Sequence, residues 1–239
     1  MKRARLGELD VVLTGGTDGN GGGDGTAVVL LHGFGAPGTD LVPLANALNV
    51  PQGTRFIFPA APIQLPPMFG EGRAWWPIDI ERMIAARAQG DAITEEIPAG
   101  LDDAREKLVG ALLDLCPKEQ WRKLVIGGFS QGSMLALDLA LRSDTKFAGV
   151  IAMSSTLICS GVWKPLMESC AGMPLVLSHG RNDEILPFRT AETLRDLLAT
   201  AGLPTEWVEF SGGHEIPPPV LAAAGRLVTS ASESQENQS

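Results

Sequence analysis

Gly128-Phe129-Ser130-Gln131-Gly132 sets a serine between two glycines, after the apolar run Leu124-Val125-Ile126 and before the apolar segment Met134–Leu141. That context predicts a strand, a sharp turn and a helix. Such a turn strains the serine backbone, and the positions two before and two after must be bare for the chain to pass. It lifts the hydroxyl clear of the sheet, with a helix amino terminus behind it that favours developing negative charge. A serine hydroxyl is a weak nucleophile near neutral pH and needs a base. Three histidines are available: His32, His179 and His214. A serine on this kind of turn expects its partners in the order serine, acid, histidine. His214, in Gly212-Gly213-His214-Glu215, follows the last predicted strand, where a loop can swing the imidazole over the sheet edge. Asp183, in His179-Gly180-Arg181-Asn182-Asp183, would hold that imidazole in the right tautomer and stabilise its charged form. Glu184 is the rival acid, and a solvated loop carboxylate is the plain alternative for Asp183. His32 and His179 each precede a glycine at a strand end, and are expected to bond loop backbone. His32-Gly33-Phe34-Gly35 follows the second strand, where an oxyanion hole requires a backbone N–H beside the nucleophile. The expected donors are the N–H groups of Phe34 and Gln131, with their side chains incidental.

The elements that must position these residues alternate between strand and helix signals. Leu6–Thr14 reads as a strand, and Gly15–Gly25, with seven glycines, as a flexible hairpin connection. A single imperfect Gly/Asp copy does not make a stacked calcium-binding repeat. Ala27–Leu31 is a continuous apolar run, the pattern of a strand covered on both faces. Thr39 or Asp40 can cap a short helix through Leu48. Arg55–Phe58 is a strand closed by Pro59, and Ala60–Asp79 is a long proline-rich loop. Leu101, Ala104, Leu108, Leu112 and Leu115 recur at helical spacing. Strands follow at Leu124–Ile126, Phe147–Met153, Leu175–Leu177 and Glu206–Phe210. Helices are expected at Met134–Leu141, around Leu194–Ala201, and at Val220–Val228. The tail from Ser230 to Ser239 is polar and reads as frayed. This alternation predicts one α/β domain over 1–239 with a mostly parallel sheet, helices on both faces, and sites at the carboxyl ends of the strands.

Composition restricts the partners. With 19 basic and 28 acidic residues the net charge is −9, so neither nucleic acid nor anionic lipid is an expected partner. Three cysteines, Cys116, Cys159 and Cys170, without close paired spacing, read as free thiols in a reducing compartment. No apolar stretch follows the basic amino terminus, and none approaches a membrane span of ~18 residues. The expectation is a cytoplasmic protein with no integral membrane association. The 28 glycines and 17 prolines suggest either low complexity or many shaped turns. Their positions in the motifs above favour the second.

Leu31-His32-Gly33-Phe34-Gly35, Gly128-Phe129-Ser130-Gln131-Gly132, His179-Gly180-Arg181-Asn182-Asp183 and Gly213-His214-Glu215 together resemble the phospholipase/carboxylesterase family of α/β-hydrolases, which includes acyl-protein thioesterases. The resemblance covers about residues 27–228. It implies an α/β-hydrolase fold without a large cap domain, a Ser130–Asp183–His214 triad, an acyl-serine intermediate, and no metal or organic cofactor. Members often pair into homodimers. In relatives the segment around Trp75-Trp76-Pro77-Ile78-Asp79 lines the acyl groove, but here it carries an inserted Pro-Ile. Leu65, Met68, Phe69, Trp75 and Trp76 are accordingly candidates for contact with substrate, against the competing reading that they pack in the core. Five large apolar residues in a loop of about 20 residues are uncommon unless functional. The first functional reading is a serine carboxylesterase acting on small to medium, uncharged esters. The alternative is a thioesterase or lysophospholipase for long acyl chains. A non-catalytic binding protein on the same scaffold is a remote third.

Overall fold

Val28 and Leu30 pack on one side of their strand and Val29 and Leu31 on the other, all four essentially without solvent contact. That is the period-two alternation of a strand buried on both faces. The structure, a computed structural model, describes residues 1–79 and 95–236. Its strands are β1 (Lys2–Leu6), β2 (Leu9–Gly16), β3 (Asn20–Gly22), β4 (Ala27–Leu31), β5 (Arg55–Pro59), β6 (Ile63–Gln64), β7 (Arg73–Ala74), β8 (Leu124–Phe129), β9 (Gly149–Met153), β10 (Leu175–Gly180) and β11 (Thr205–Phe210). The main sheet runs β1-β2-β5-β4-β8-β9-β10-β11, with β3 beside β2. From β5 to β11 every pairing is parallel, and β2 pairs antiparallel with both β1 and β5.

Helices cover both faces. The described ones are α1 (Leu44–Ala47), α2 (Leu101–Leu115), α3 (Gln131–Arg142), α4 (Ser160–Met167), α5 (Phe188–Thr200) and α6 (Pro218–Glu236). Leu101, Ala104, Leu108 and Leu112 of α2 join Leu135 and Leu139 of α3, Trp163 of α4 and Leu194 of α5 over one face. Val220, Ala224, Leu227 and Val228 of α6 cover the other. This is the α/β-hydrolase architecture, with no large cap domain among the described residues. No described helix is long and apolar enough to cross a membrane.

Several expectations need correction. Leu6–Thr14 is not one strand: the chain reverses at Gly7, whose φ of 53° suits glycine, and Lys2–Leu6 pairs back on Leu9–Leu13. Gly15–Gly25 takes up a defined turn. The Asp18 carboxylate accepts the N–H groups of Asn20 and Gly22 at 2.8 and 2.9 Å, and Gly22 returns to pair with β2. These bonds hold the Asp18 carboxyl below its ordinary value. Residues 41–48 form only the single turn α1, which starts after Pro43. Ser160–Met167, where no helix is expected, forms the short α4 despite Pro165, with Trp163 and Met167 buried. The segment from Ser230 continues α6 to Glu236. Ala231 and Ser232 are buried there, and the Ser232 hydroxyl bonds that of Thr26 at 2.7 Å. Residues 237–239 of the expected frayed tail lie outside the described residues. Cys159 and Cys170 are buried, Cys116 is half-buried, and all three are free thiols.

Helices α2, α3 and α4 meet at one buried carboxylate. Asp138 accepts Arg105 at 2.8 Å, Arg142 at 2.9 Å and the Trp163 indole N–H at 2.8 Å, with no solvent contact of its own. Removing one partner of such a cluster strands the others. Asp138→Ala is expected to lower unfolding free energy by about 3 kcal/mol in urea titrations. A loss under about 1 kcal/mol would show that the cluster contributes little.

Candidate active site

The glycine pattern around Ser130 has a steric cause. A Cβ at Gly128 would sit 2.5 Å from the Leu31 carbonyl oxygen, and one at Gly132 would collide with the carbonyl oxygens of Leu31 and His32. The turn from β8 into α3 thus presses bare backbone against the end of β4. Ser130 itself has φ 53° and ψ −121°, a strained conformation for a non-glycine residue, costing about 1–3 kcal/mol. Its N–H is tied to the Met153 carbonyl at 2.9 Å. Its carbonyl accepts the Ser133 hydroxyl at 2.6 Å and the N–H groups of Ser133 and Met134. The surrounding structure therefore over-determines the turn.

The acid and the histidine come from adjacent loops laced together. Asn182 donates to the Gly212 carbonyl at 2.9 Å, and Arg181 donates to that of Phe210 at 2.9 Å. A Cβ on Gly180 would collide with the carbonyls of Gly212 and Gly213, so this approach demands glycine. Across it, His214 Nδ1 meets Asp183 Oδ2 at 2.7 Å. The Asp183 side chain is fully buried, and its other oxygen accepts the N–H groups of Ile185 and Leu186, each at 2.8 Å. Burial pushes this carboxyl upward, but the His214 and backbone hydrogen bonds outweigh it and hold it below its ordinary value. A carboxylate therefore faces the imidazole, fixing the proton on Nδ1 and leaving Nε2 free as an acceptor. The His214 ring lies 4.7 Å from that of Phe129, the neighbour of Ser130. Glu184, the rival acid, is exposed.

His179 stands behind Asp183. Its Nε2 faces the Leu186 carbonyl at 3.0 Å and Asp183 Oδ2 at 3.3 Å, while among the described residues its buried Nδ1 has no partner at hydrogen-bond geometry. Burial depresses its pKa, against the pull of these acceptors. His32 is equally enclosed: its Nδ1 meets the Gly33 carbonyl at 2.8 Å and its Nε2 accepts the Ala61 N–H at 2.9 Å. Burial depresses its pKa too. Both rings bond loop backbone. Ser154 escaped the sequence reading. It is buried with φ 46°, follows the carbonyl that holds Ser130, and reaches the Glu215 carbonyl at 3.5 Å. A lone serine at a strand end carries no sequence signal of this.

The loop after β4 runs beside Ser130: a Cβ on Gly33 would lie 3.3 Å from the Ser130 Cβ. Among the described residues, neither the Phe34 N–H nor the Gln131 N–H finds an acceptor. The Gln131 side chain is not incidental, contrary to expectation. Its carbonyl accepts the Trp75 N–H at 2.9 Å and its amide donates to the Trp76 carbonyl at 2.8 Å.

The five apolar loop residues divide into two groups. Trp75 and Trp76 are 1% and 3% exposed and join the core, because their backbone and the Trp75 indole are anchored there. Leu65, Met68 and Phe69 lie on a hairpin formed by β6, a 3₁₀ turn and β7. Met68 is 86% exposed, and Phe69 packs edge-on against Phe34 at 5.9 Å. A separate groove of about 790 Å³ lies at the amino ends of β8–β11, lined by Lys123, Leu175, Thr205 and Arg226. It is at the opposite end of the sheet from Ser130. Among the described residues, no cluster of three or more His, Cys, Asp and Glu side chains could hold a metal ion.

The two buried histidines make stability pH-dependent. The unfolded chain takes up protons near pH 6.5 that the folded chain refuses, so stability falls as pH drops below about 6.5. Asp183 acts in a lower window: its contribution is present above about pH 4 and lost as pH falls through its depressed folded value. The urea midpoint is therefore expected to fall between pH 7 and 5, less steeply in His179→Asn. Parallel slopes in the two proteins would contradict this.

Comparison with known proteins agrees with the fold. The family model described as phospholipase/carboxylesterase matches residues 22–229. Acyl-protein thioesterase 1 of Emericella nidulans is 29% identical over 184 residues, 71% of this chain and 76% of that protein. The Neurospora crassa acyl-protein thioesterase 1 is 34% identical over 96 residues, and that match spans 38% of this chain and only 39% of the relative. The crystal structure of esterase PE8 superposes with a TM-score of 0.70 at 27% identity, over 95% of this chain and 98% of that one. With a family match over most of its length and a hydrolase fold, the chain belongs to the phospholipase/carboxylesterase family.

Proposed function

We propose that the protein is a serine hydrolase that cleaves carboxylic esters through an acyl-serine intermediate. The observation that carries this reading is the 2.7 Å Asp183–His214 pair beside the strained Ser130 turn. Ser130 Oγ attacks the ester carbonyl carbon while His214 Nε2 takes its proton, and Asp183 stabilises the imidazolium. The oxyanion is received by the N–H groups of Phe34 and Gln131. His214 then protonates the leaving alcohol. Water attacks the acyl-enzyme with His214 again as base, and Ser130 is regenerated. His214 Nδ1 is held by Asp183, and the contact of Nε2 with the Ser130 hydroxyl is one that commonly tightens on substrate binding.

The substrate end is shaped by the β6–β7 hairpin, where Leu65, Met68 and Phe69 are the candidate acyl contacts. Trp75 and Trp76, buried just after β7, tie that end of the hairpin to the Gln131 side chain. The absence of a large cap among the described residues favours small to medium esters. A second reading, thioesterase action on long acyl chains, is favoured by the relatives that are acyl-protein thioesterases and by the exposed apolar tip at Met68.

A fluorophosphonate probe is expected to label Ser130 stoichiometrically, and Ser130→Ala to abolish labelling and lower kcat by about 10⁶. Intact, folded wild-type protein that resists the probe would overturn the mechanism. Asp183→Asn should lower kcat by about 10⁴ through the wrong imidazole tautomer. A p-nitrophenyl ester series set beside acyl thioesters assigns the substrate class. A maximum at short or medium esters supports the first reading, and one at long acyl thioesters the second.

A further inference from the structure

Two backbone donors on separate loops can hold one oxyanion only if their separation is fixed to a few tenths of an ångström. Phe34 sits in a glycine-rich loop and Gln131 at the start of α3, so no single element carries both donors. We propose that Trp75 and the side chain of Gln131 form a single brace that sets this separation, making both side chains positioning residues for the reaction. The proposal rests on the reading of Phe34 and Gln131 as the oxyanion donors.

The brace can be followed bond by bond. Gln131 is 1% exposed, and its side-chain amide makes two bonds to one peptide segment, accepting the Trp75 N–H and donating to the Trp76 carbonyl. Trp75 then reaches the other loop, its indole N–H donating to the His32 carbonyl at 2.9 Å. Its ring packs 5.5 Å from the His32 imidazole. The loop is caught again just past Phe34: Gly35 donates to the Arg73 carbonyl at 2.9 Å, and Arg73 donates to that of Ala36 at 2.9 Å. Anchors therefore flank Phe34 on both sides, and all of them lead to residues 73–76.

The orientation of each donor is fixed through its own peptide. In a trans peptide the C=O and N–H point in opposite directions. The Phe34 N–H shares its plane with the Gly33 carbonyl, which His32 Nδ1 holds at 2.8 Å. The Gln131 N–H shares its plane with the Ser130 carbonyl, which the Ser133 hydroxyl holds at 2.6 Å. His32 and Ser133 thus aim the two donors, and the Trp75–Gln131 brace spaces them. An indole is suited to the spacing task. It is long and rigid, with one donor at its far end. Trp75 is buried at 1% exposure, so its N–H has no water to bond if the His32 carbonyl moves.

The test is Trp75→Phe, Gln131→Met and the double variant, each checked for unchanged secondary structure and thermal midpoint. Each single change is expected to lower kcat about 10–100-fold with KM within about threefold. Affinity for a trifluoromethyl ketone, whose adduct presents an oxyanion, should fall in parallel. The double variant should cost little more than the worse single change, because both cut one brace. Where Trp75→Phe fails to fold, the benzothienyl analogue of tryptophan at position 75 keeps the shape and lacks only the N–H. Folded variants with wild-type kcat and ketone affinity overturn the brace. So do fully additive losses. A wild-type protein without esterase activity or fluorophosphonate labelling overturns the underlying functional reading instead.

Discussion

The close approach of the β8–α3 turn to the carboxyl end of β4 is the constraint on which the rest of the site depends. Gly128 and Gly132 let bare backbone lie against the carbonyls of Leu31 and His32, at distances no side chain permits. This contact puts Ser130 beside Gly33, and so brings the loop bearing Phe34 close to the serine. Move the turn outward by the width of a methyl group and the serine, the Phe34 loop and the helix amino terminus no longer converge. The strain at Ser130 is one cost of that convergence. It is offset by the buried core around it, since β4, β8 and β9 lie at the centre of a sheet covered on both faces.

A second approach, between Gly180 and the Gly212–Gly213 backbone, does the same for Asp183 and His214. It allows Asp183 to be buried without being destabilised, because every oxygen is satisfied by His214 or by backbone N–H groups. Desolvation alone would raise the pKa of such a carboxyl and weaken its hold on the imidazole. The hydrogen bonds reverse that tendency and keep the charge where it can orient His214. Around this centre the two remaining histidines are buried and tied to loop backbone, His179 behind the acid and His32 behind the Phe34 loop.

The strand–helix alternation and the order of the four motifs were legible in the sequence because they depend on local rules. A strand buried on both faces reads as an unbroken apolar run, and a turn that excludes Cβ atoms reads as paired glycines. Gly7 was not legible, since one glycine in an alternating segment does not announce a reversal. Nor was the ordered Gly15–Gly25 turn, whose shape depends on Asp18 meeting the N–H groups of Asn20 and Gly22. The polar composition after Ser230 suggested fraying, yet Ser232 is paired with Thr26, 206 residues away in the chain. No local pattern encodes a partner at that separation.

The amino-acid sequence by itself determined the fold class, the residue types available for chemistry and the positions where backbone must be bare. Those properties follow from side-chain periodicity and from the sterics of a single turn. Only the tertiary structure decided which acid meets His214, because Asp183 and Glu184 are adjacent carboxylates and only the fold buries the first and leaves the second exposed. It also decided the fate of the aromatic loop. Met68 and Trp75 are similarly apolar in sequence, but one stands on an exposed hairpin tip while the other is buried against His32 and Gln131. Tryptophan has both a large apolar body and one N–H to satisfy, and the buried His32 carbonyl supplies the acceptor that fixes its place.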